Sequence, residues 1–374
     1  MTKETIHMTH TQNLFQEFDP VTTEAWTHAI EKFLKGKPLE SLDWKLEEGL
    51  TISPLQRAEN TTAHHMIGSE LPSNNHWNIC EKITVNTTSD QDYQTANQLL
   101  LHGLSKGANA LIIQLEHLPS VAQLKSLLQG VLLDLIHIHF EGSALQNAPI
   151  DFLKNLLEVP SIKSLQGSCN LGTIDSDSLI KGLNLCATII PQLRLITISI
   201  PTTSSHALSQ ALHQASLWID TLLEQGLSLE QIINSLRLEF NVNNHYFVEL
   251  AHIRAFKKLW LGLLEAYKAP EAVFPFLHAN TLSDQDDNQY WNMITATTQA
   301  MAAAIGGVDS IYVCPCNSET NANDFTRRIA RNVQHLLQSE SYLNRVVDPA
   351  AGSYYIEHVT SLLVQKSWQQ FCKL

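Results

Sequence analysis

Three groups of residues in this chain have types and spacings that could do chemistry. His137-Ile138-His139 is the first. Side chains two apart on a strand project to the same face, so these imidazoles could share a metal ion such as zinc. Cys314-Pro315-Cys316 is the second, at the end of the apolar run Ser310–Cys314. Parallel barrels place their chemistry at such C-terminal strand ends. His64-His65 adds further nitrogen donors. A metal-dependent barrel hydrolase would use residues of this kind, yet no carboxylate and third His stand at a recognisable ligand spacing. Buried His and reduced Cys are also ordinary core residues. The third group is Pro201-Thr202-Thr203-Ser204-Ser205-His206, directly after the apolar run Leu195–Ile200. His206 is placed to open the following helix, where an isolated imidazole has bland explanations. Arg194 and Arg237 sit just before or at the start of strands, the wrong end of a barrel for chemistry.

A chain of 374 residues with 44% hydrophobic and 16% charged content can bury a sizeable core. A net charge of −13 argues against a nucleic-acid backbone or an anionic membrane as the main partner. The 6 cysteines include no CxxC pair. Reduced thiols in the cytoplasm are therefore expected, with no secretory leader in MTKETIHMTHTQNLFQEF and no apolar run of membrane length.

From Trp77 onward, short runs rich in Ile, Val, Leu and Thr alternate with amphipathic stretches. Candidate strands span 78–85, 110–115, 132–140, 164–168, 195–200, 236–242, 273–280 and 310–314. Helical patterns span 91–106, 119–129, 176–188, 205–224, 244–267, 286–305 and 322–338. This alternation predicts a (β/α)8 TIM barrel rather than an open doubly wound sheet. An N-terminal arm, 1–56, precedes the barrel domain, 57–374. In the arm, Thr22 and Thr23 are possible caps for a helix ending near Lys35-Gly36-Lys37, and an extended piece follows at 42–46. Phe15, Phe18, Trp26, Phe33 and Trp44 crowd this arm, which has too little sequence for a core of its own. Residues 55–76 read as a crossing loop.

The stretch Arg327–Glu357 begins as a helix, with Ile329, Val333, Leu336 and Leu337 on one face and Arg327, Arg328 and Arg331 elsewhere. Asp348-Pro349 ends it, Gly352 permits a reversal, and Ser353-Tyr354-Tyr355 restarts an ordered segment. The string ARNVQHLLQSESYLNRVVDPAAGSYYIE resembles the end of the barrel domain of methylmalonyl-CoA mutases. Arg331, Asn332, Arg345, Asp348, Pro349, Gly352, Ser353, Tyr354 and Tyr355 fall into that family's pattern, and Ala351 departs from a frequent Gly. The resemblance extends to Tyr93–Ala110, to Phe247, Glu249, Ala251, Arg254, Ala255, Leu259 and Trp260, and to Asn292–Ser310. It is weak between residues 116 and 200. The arm is similar to the family's N-terminal arm, which wraps the other subunit.

The resemblance implies a role in adenosylcobalamin-dependent interconversion of methylmalonyl-CoA and succinyl-CoA, as in propionate metabolism. It also exposes departures. The family's cobalt-ligating D-x-H-x-x-G motif is missing, and Asp134…His137 has the wrong spacing. Thr203 and Ser204 stand where the family's S-G-Y-H segment has Tyr and His. No Arg can be placed at a substrate-carboxylate position. The chain thus resembles the smaller, non-catalytic chain of heterodimeric bacterial mutases, in a version without a cobalamin-binding domain. That implies no catalytic, cofactor or metal residue in this chain, adenosylcobalamin held by a catalytic large subunit, and an arm that clasps this partner. A free-standing CoA-ester-binding barrel and the metal-dependent hydrolase are the alternatives.

Overall fold

The structure is a computed structural model that describes residues 19, 21–57, 59, 74–160, 162–269, 273–282 and 288–374. The chain divides into two compact units, Met1–Leu55 and Gln56–Leu374. In the first, α1 (Thr23–Phe33) begins where the Thr22 hydroxyl accepts a hydrogen bond from the Ala25 amide at 3.2 Å. It stops where Lys35 and Gly36 take positive φ values of 53° and 87°. The extended piece expected over 42–46 is the strand β1 (Trp44–Glu47), paired antiparallel with β2 (Leu50–Ile52) around Gly49. Trp26 and Trp44 are partly exposed and Phe33 is 85% exposed. Phe15 and Phe18 lie outside the described residues, as do His64 and His65.

The second unit contains a parallel sheet: β3 (Asn78–Val85), β4 (Ala110–Leu115), β5 (His137–Glu141), β6 (Gln166–Cys169), β7 (Leu193–Arg194), β8 (Ile196–Ile200), β9 (Leu236–Val242), β10 (Phe276–Thr281) and β11 (Ser310–Tyr312). Their order is β7-β6-β5-β4-β3-β11-β10-β9-β8. The two end members are consecutive in sequence, separated only by Leu195, so they are halves of one strand and the sheet returns on itself as a barrel. β7 pairs with β6 through Gly167↔Leu193 and Ser168↔Arg194, and β8 pairs with β9 from Ile196↔Leu236 to Ile200↔Phe240.

Helices α2 (Asp90–Ser105), α3 (Val121–Leu127), α4 (Ser143–Asn147), α5 (Pro149–Leu157), α6 (Ser176–Ala187), α7 (Ser205–Glu224), α8 (Leu229–Asn234), α9 (Tyr246–Ala266), α10 (Gln289–Gly306), α11 (Asp324–Ser339) and α12 (Tyr354–Phe371) lie between and after the strands. Their buried faces follow the expected three-and-four spacing, as Tyr93, Ala96, Asn97 and Leu100 do on α2. Outward strand residues such as Leu111, Ile113, Leu238 and Phe240 are at most 1% exposed, and this layer forms the main apolar core.

Several boundaries differ from those expected. The third strand starts at His137, because 132–136 is a turn in which Leu132 and Leu135 are 62% and 67% exposed. The fourth is displaced to Gln166–Cys169 behind a short 3-10 turn, Ile162–Ser164. The seventh begins at Phe276 and the eighth stops at Tyr312. Helices α4 and α5 carry no expectation at all, since Pro149 and their brevity mask any long periodicity. On α11, Leu336 is 49% exposed. Arg331, expected away from the apolar face, is instead buried and donates from Nη1 to Glu81 Oε2. Glu81 is a helix-facing residue of β3, and its carboxylate pulls the guanidinium inward.

Candidate functional site at the barrel mouth

Alternation along the strands decides what lines the barrel. On β3, Glu81 faces α11 while Lys82 faces inward, where its Nζ lies 2.9 Å from Glu141 of β5 and 3.2 Å from Glu319 after β11. Burial disfavours the Lys82 charge, but these two carboxylates outweigh it and raise its pKa. On β9, Arg237 and Glu239 face inward, their charges 3.5 Å apart. Asn280 donates to Glu239 at 2.5 Å and accepts from His278 Nε2 at 2.9 Å. Burial alone would raise the pKa of Glu239; Arg237 and the Asn280 hydrogen bond overcome it and hold the carboxyl below its ordinary range.

His137 and His139 do point the same way, with ring centroids 6.4 Å apart. They stack into the barrel axis. Both lie against Phe276, at 5.5 and 5.4 Å, and His139 lies 5.8 Å from His278. Ser168 Oγ is 2.8 Å from His139 Nδ1. Burial first, then Arg194, brings His137 down to about 4; burial first, then Arg237, brings His278 down to about 3. These imidazoles are therefore neutral at pH 7. Among the described residues, no group of three His, Cys, Asp or Glu is arranged to hold a metal. Arg194 and Arg237 occupy the N-terminal half of the axis, Arg194 over the Phe276 ring at 4.6 Å. The axis is thus filled below and open above.

The opening is a cavity of about 450 Å³ lined by Lys82, Glu141, Glu239, Asn241, Asn280, Cys314 and Glu319. A neighbouring cavity of about 360 Å³ adds Thr84, Gln114, Tyr312 and Arg327. The larger one presents three carboxylates against one ammonium. Such a wall repels a substrate carboxylate or phosphate. Cys314 reaches this wall, but Cys316 is buried and its thiol is pushed up by that burial.

The segment after β8 is also committed to structure. Thr203 Oγ1 donates to Glu249 Oε1 at 2.5 Å. Ser204 caps α7 by accepting from the Ala207 amide at 3.1 Å, and its carbonyl lies 3.2 Å from His252 Nε2. Burial raises Glu249 to about 7, more than the Thr203 bond lowers it. His206 sits exposed in the first turn of α7, as expected.

The motif residues of the last segment assemble elsewhere. Arg254 of α9 forms a bidentate pair with Asp348 at 2.8 Å on both oxygens. It also donates to Glu357 at 2.6 Å and to Thr360 at 3.1 Å, and Lys258 adds a 3.3 Å contact to Glu357. Asp348 takes φ 45° and Gly352 φ 82° in the turn, while Pro349 and Ser353 are exposed and Ser353 precedes α12. Tyr355 packs on Phe247 at 5.7 Å, and Tyr354 is 47% exposed. Arg345 lies over Tyr342 at 4.1 Å, and Asn332 is exposed. The motif is a clamp joining α9 to α12, with none of its residues among those lining the two mouth cavities.

Lys82, Glu141 and Glu239 belong to no motif recognised above. A signal existed: in HIHFE, LRLEFNV and FLHANT polar residues recur at every second position, marking an interior polar face.

Fold and site define an α/β-barrel protein with a polar, plugged axis and an acidic mouth. Comparison with known proteins makes this specific. The family model described as "Methylmalonyl-CoA mutase" matches residues 176–374, and the chain belongs to that family. It is 29% identical to "Methylmalonyl-CoA mutase small subunit" of Porphyromonas gingivalis, over 96% of this chain and 64% of that protein. A protein of the same description from Streptomyces virginiae is 27% identical, with the same coverage of 96% and 64%. The chain thus spans a little under two thirds of the length of these relatives. Among solved structures, dihydropteroate synthase from Stenotrophomonas maltophilia is similar with a TM-score of 0.41 and 12% identity, over 70% of this chain and 93% of that one.

Proposed function

We propose that this chain is the non-catalytic partner in an adenosylcobalamin-dependent methylmalonyl-CoA mutase, and that it stabilises a catalytic large subunit. The observation that carries this reading is the fate of the segment after β8. Thr203 and Ser204 offer neither a ring to stack nor an imidazole to move a proton, and both are tied into a carboxylate bond and a helix cap. The mouth does not fit the family's cofactor and substrate either. Its three carboxylates oppose an anionic substrate, and Phe276, His139 and Arg237 fill the path that a long thioester would follow down the axis. Adenosylcobalamin therefore belongs to the partner in this proposal, and the described residues of this chain take no step in the rearrangement.

A partner that binds only the native state raises its stability by mass action. The exposed Phe33 and the partly exposed Trp26 and Trp44 are suited to anchor such a complex, as buried aromatic residues dominate many interfaces. The test is turnover of methylmalonyl-CoA by the pure chain with cofactor, by the catalytic chain, and by both. The chain alone should be inactive, and its addition should raise the thermal stability of the catalytic chain. Turnover by the pure chain, or absence of any complex, would overturn the proposal. Calorimetry with CoA esters on the pure chain should show no binding; a measurable heat would favour a free-standing CoA-ester-binding barrel.

A further inference from the structure

We infer that the open half of the barrel binds a small zwitterion of the ω-amino-acid type, its carboxylate on Arg327 and Tyr312 and its ammonium towards Glu141 and Glu239. The two mouth cavities, about 450 and 360 Å³, share Lys82, Glu319 and Thr320, so they lie on either side of one ion pair. Arg327 lines the smaller cavity. Its Nη1 donates to the Lys82 carbonyl at 2.8 Å, and its Nε and Nη2 have no partner among the described residues. Glu319, the carboxylate that shares this cavity, pairs with Lys82 instead. Tyr312 lines the same cavity and is 5% exposed, yet its hydroxyl has no hydrogen-bond partner among the described residues. Burial raises its pKa well above the ordinary value, so the phenol keeps its proton and can donate. A buried hydroxyl left unpaired is costly, and a bound acceptor removes that cost. On the other side, Lys82 meets Glu141 through Oε1 at 2.9 Å, which leaves Oε2 to the larger cavity.

The charges select the ligand. Arg237 stands against Glu239 from below, at 3.5 Å. Glu141 and Glu319 then face Lys82 and Arg327, carboxylates and cations in equal number. A ligand without net charge keeps this balance, and an ion of either sign upsets it. The signs are also sorted in space. Glu141 and Glu239 line the larger cavity, while Arg327 and the Tyr312 and Thr84 hydroxyls line the smaller. Length follows from what stands between. The Lys82–Glu319 pair, 3.2 Å from Nζ to Oε2, separates the two ends, so the charges of the ligand must be set further apart than those of an α-amino acid. Such a ligand would bind whether or not the chain serves a catalytic partner.

The test is calorimetry on the full chain with γ-aminobutyrate and δ-aminovalerate, against butyrate, butylamine and alanine at matched ionic strength. The two ω-amino acids should give saturable heats and raise the melting temperature. Butyrate and butylamine should give neither, and alanine should bind several-fold more weakly. Arg327→Met should abolish the heats. Should that variant fail to fold, Tyr312→Phe, which removes only the unpaired hydroxyl, should weaken binding several-fold without lowering the melting temperature of the free chain. Absence of heat with both ω-amino acids overturns the inference. So does an equal response to butyrate or butylamine, or an affinity that Tyr312→Phe leaves unchanged.

Discussion

At the residue scale, Glu249 gives the clearest prediction. Its carboxyl is buried, accepts from Thr203, and titrates near 7. An acid whose folded pKa lies above its unfolded value binds more protons folded than unfolded. It therefore costs nothing below pH ~4.5, costs progressively more as pH rises toward about 7, and costs roughly 3 kcal/mol above that. Glu249→Gln keeps an acceptor for Thr203 and removes the charge. Its melting temperature should match wild type at pH 4.5 and exceed it at pH 8; a difference that does not vary with pH would sink the argument. Arg254→Met makes the opposite point. It leaves Asp348 and most of Glu357 uncompensated, at a cost of about 3–5 kcal/mol. Denaturant unfolding should show that loss. Arg254→Lys should recover only part of it, because an ammonium cannot span both Asp348 oxygens.

Elements were more legible than the site. Four of the expected strands overlap the observed ones almost throughout and two more are trimmed at one end, because buried parallel strands are short, apolar and separated by helical periods. The third and fourth were displaced where Leu132, Leu135 and Leu165 imitate a strand without ladder partners. That the His pair faces one way follows from strand alternation, but its neighbours come from β6 and β10, far away in sequence. The clamp was half legible: Arg254 and Asp348 were each singled out, and no pattern in one chain says that they touch. Close approach is equally hidden. Gly167 of β6 has φ 144°, and a Cβ there would collide with the Ile138 carbonyl of β5. Gly167→Ala should therefore part these two strands, which are already held at a short ladder. Hydrogen exchange should show the amides of Ser168 and Cys169 losing protection before those of β4; undiminished protection would show that the strand can shift to accommodate a methyl.

For the whole molecule, the prediction concerns the two units. The described residues of the first unit include no buried side chain on α1 and leave Phe33 exposed and Trp44 partly so. If they clasp the partner, a chain lacking 1–56 should fold and lose most of its affinity for the catalytic chain in a co-purification assay. Undiminished affinity would place the contact on the barrel. The barrel itself has a peculiarity in how it closes. Its fourth and fifth strands share only two ladder pairs, and the ring is completed by the peptide running through Leu195. Hydrogen bonds hold every junction, but this one has just two pairs and leans on the continuity of the backbone through Leu195. Severing the chain at that one residue would turn a closed wall into a ribbon with two raw margins. Each margin would offer unsatisfied amides and carbonyls to any neighbouring ribbon, the usual beginning of edge-to-edge aggregation. The integrity of a single peptide link thus separates a self-contained barrel from a sticky sheet.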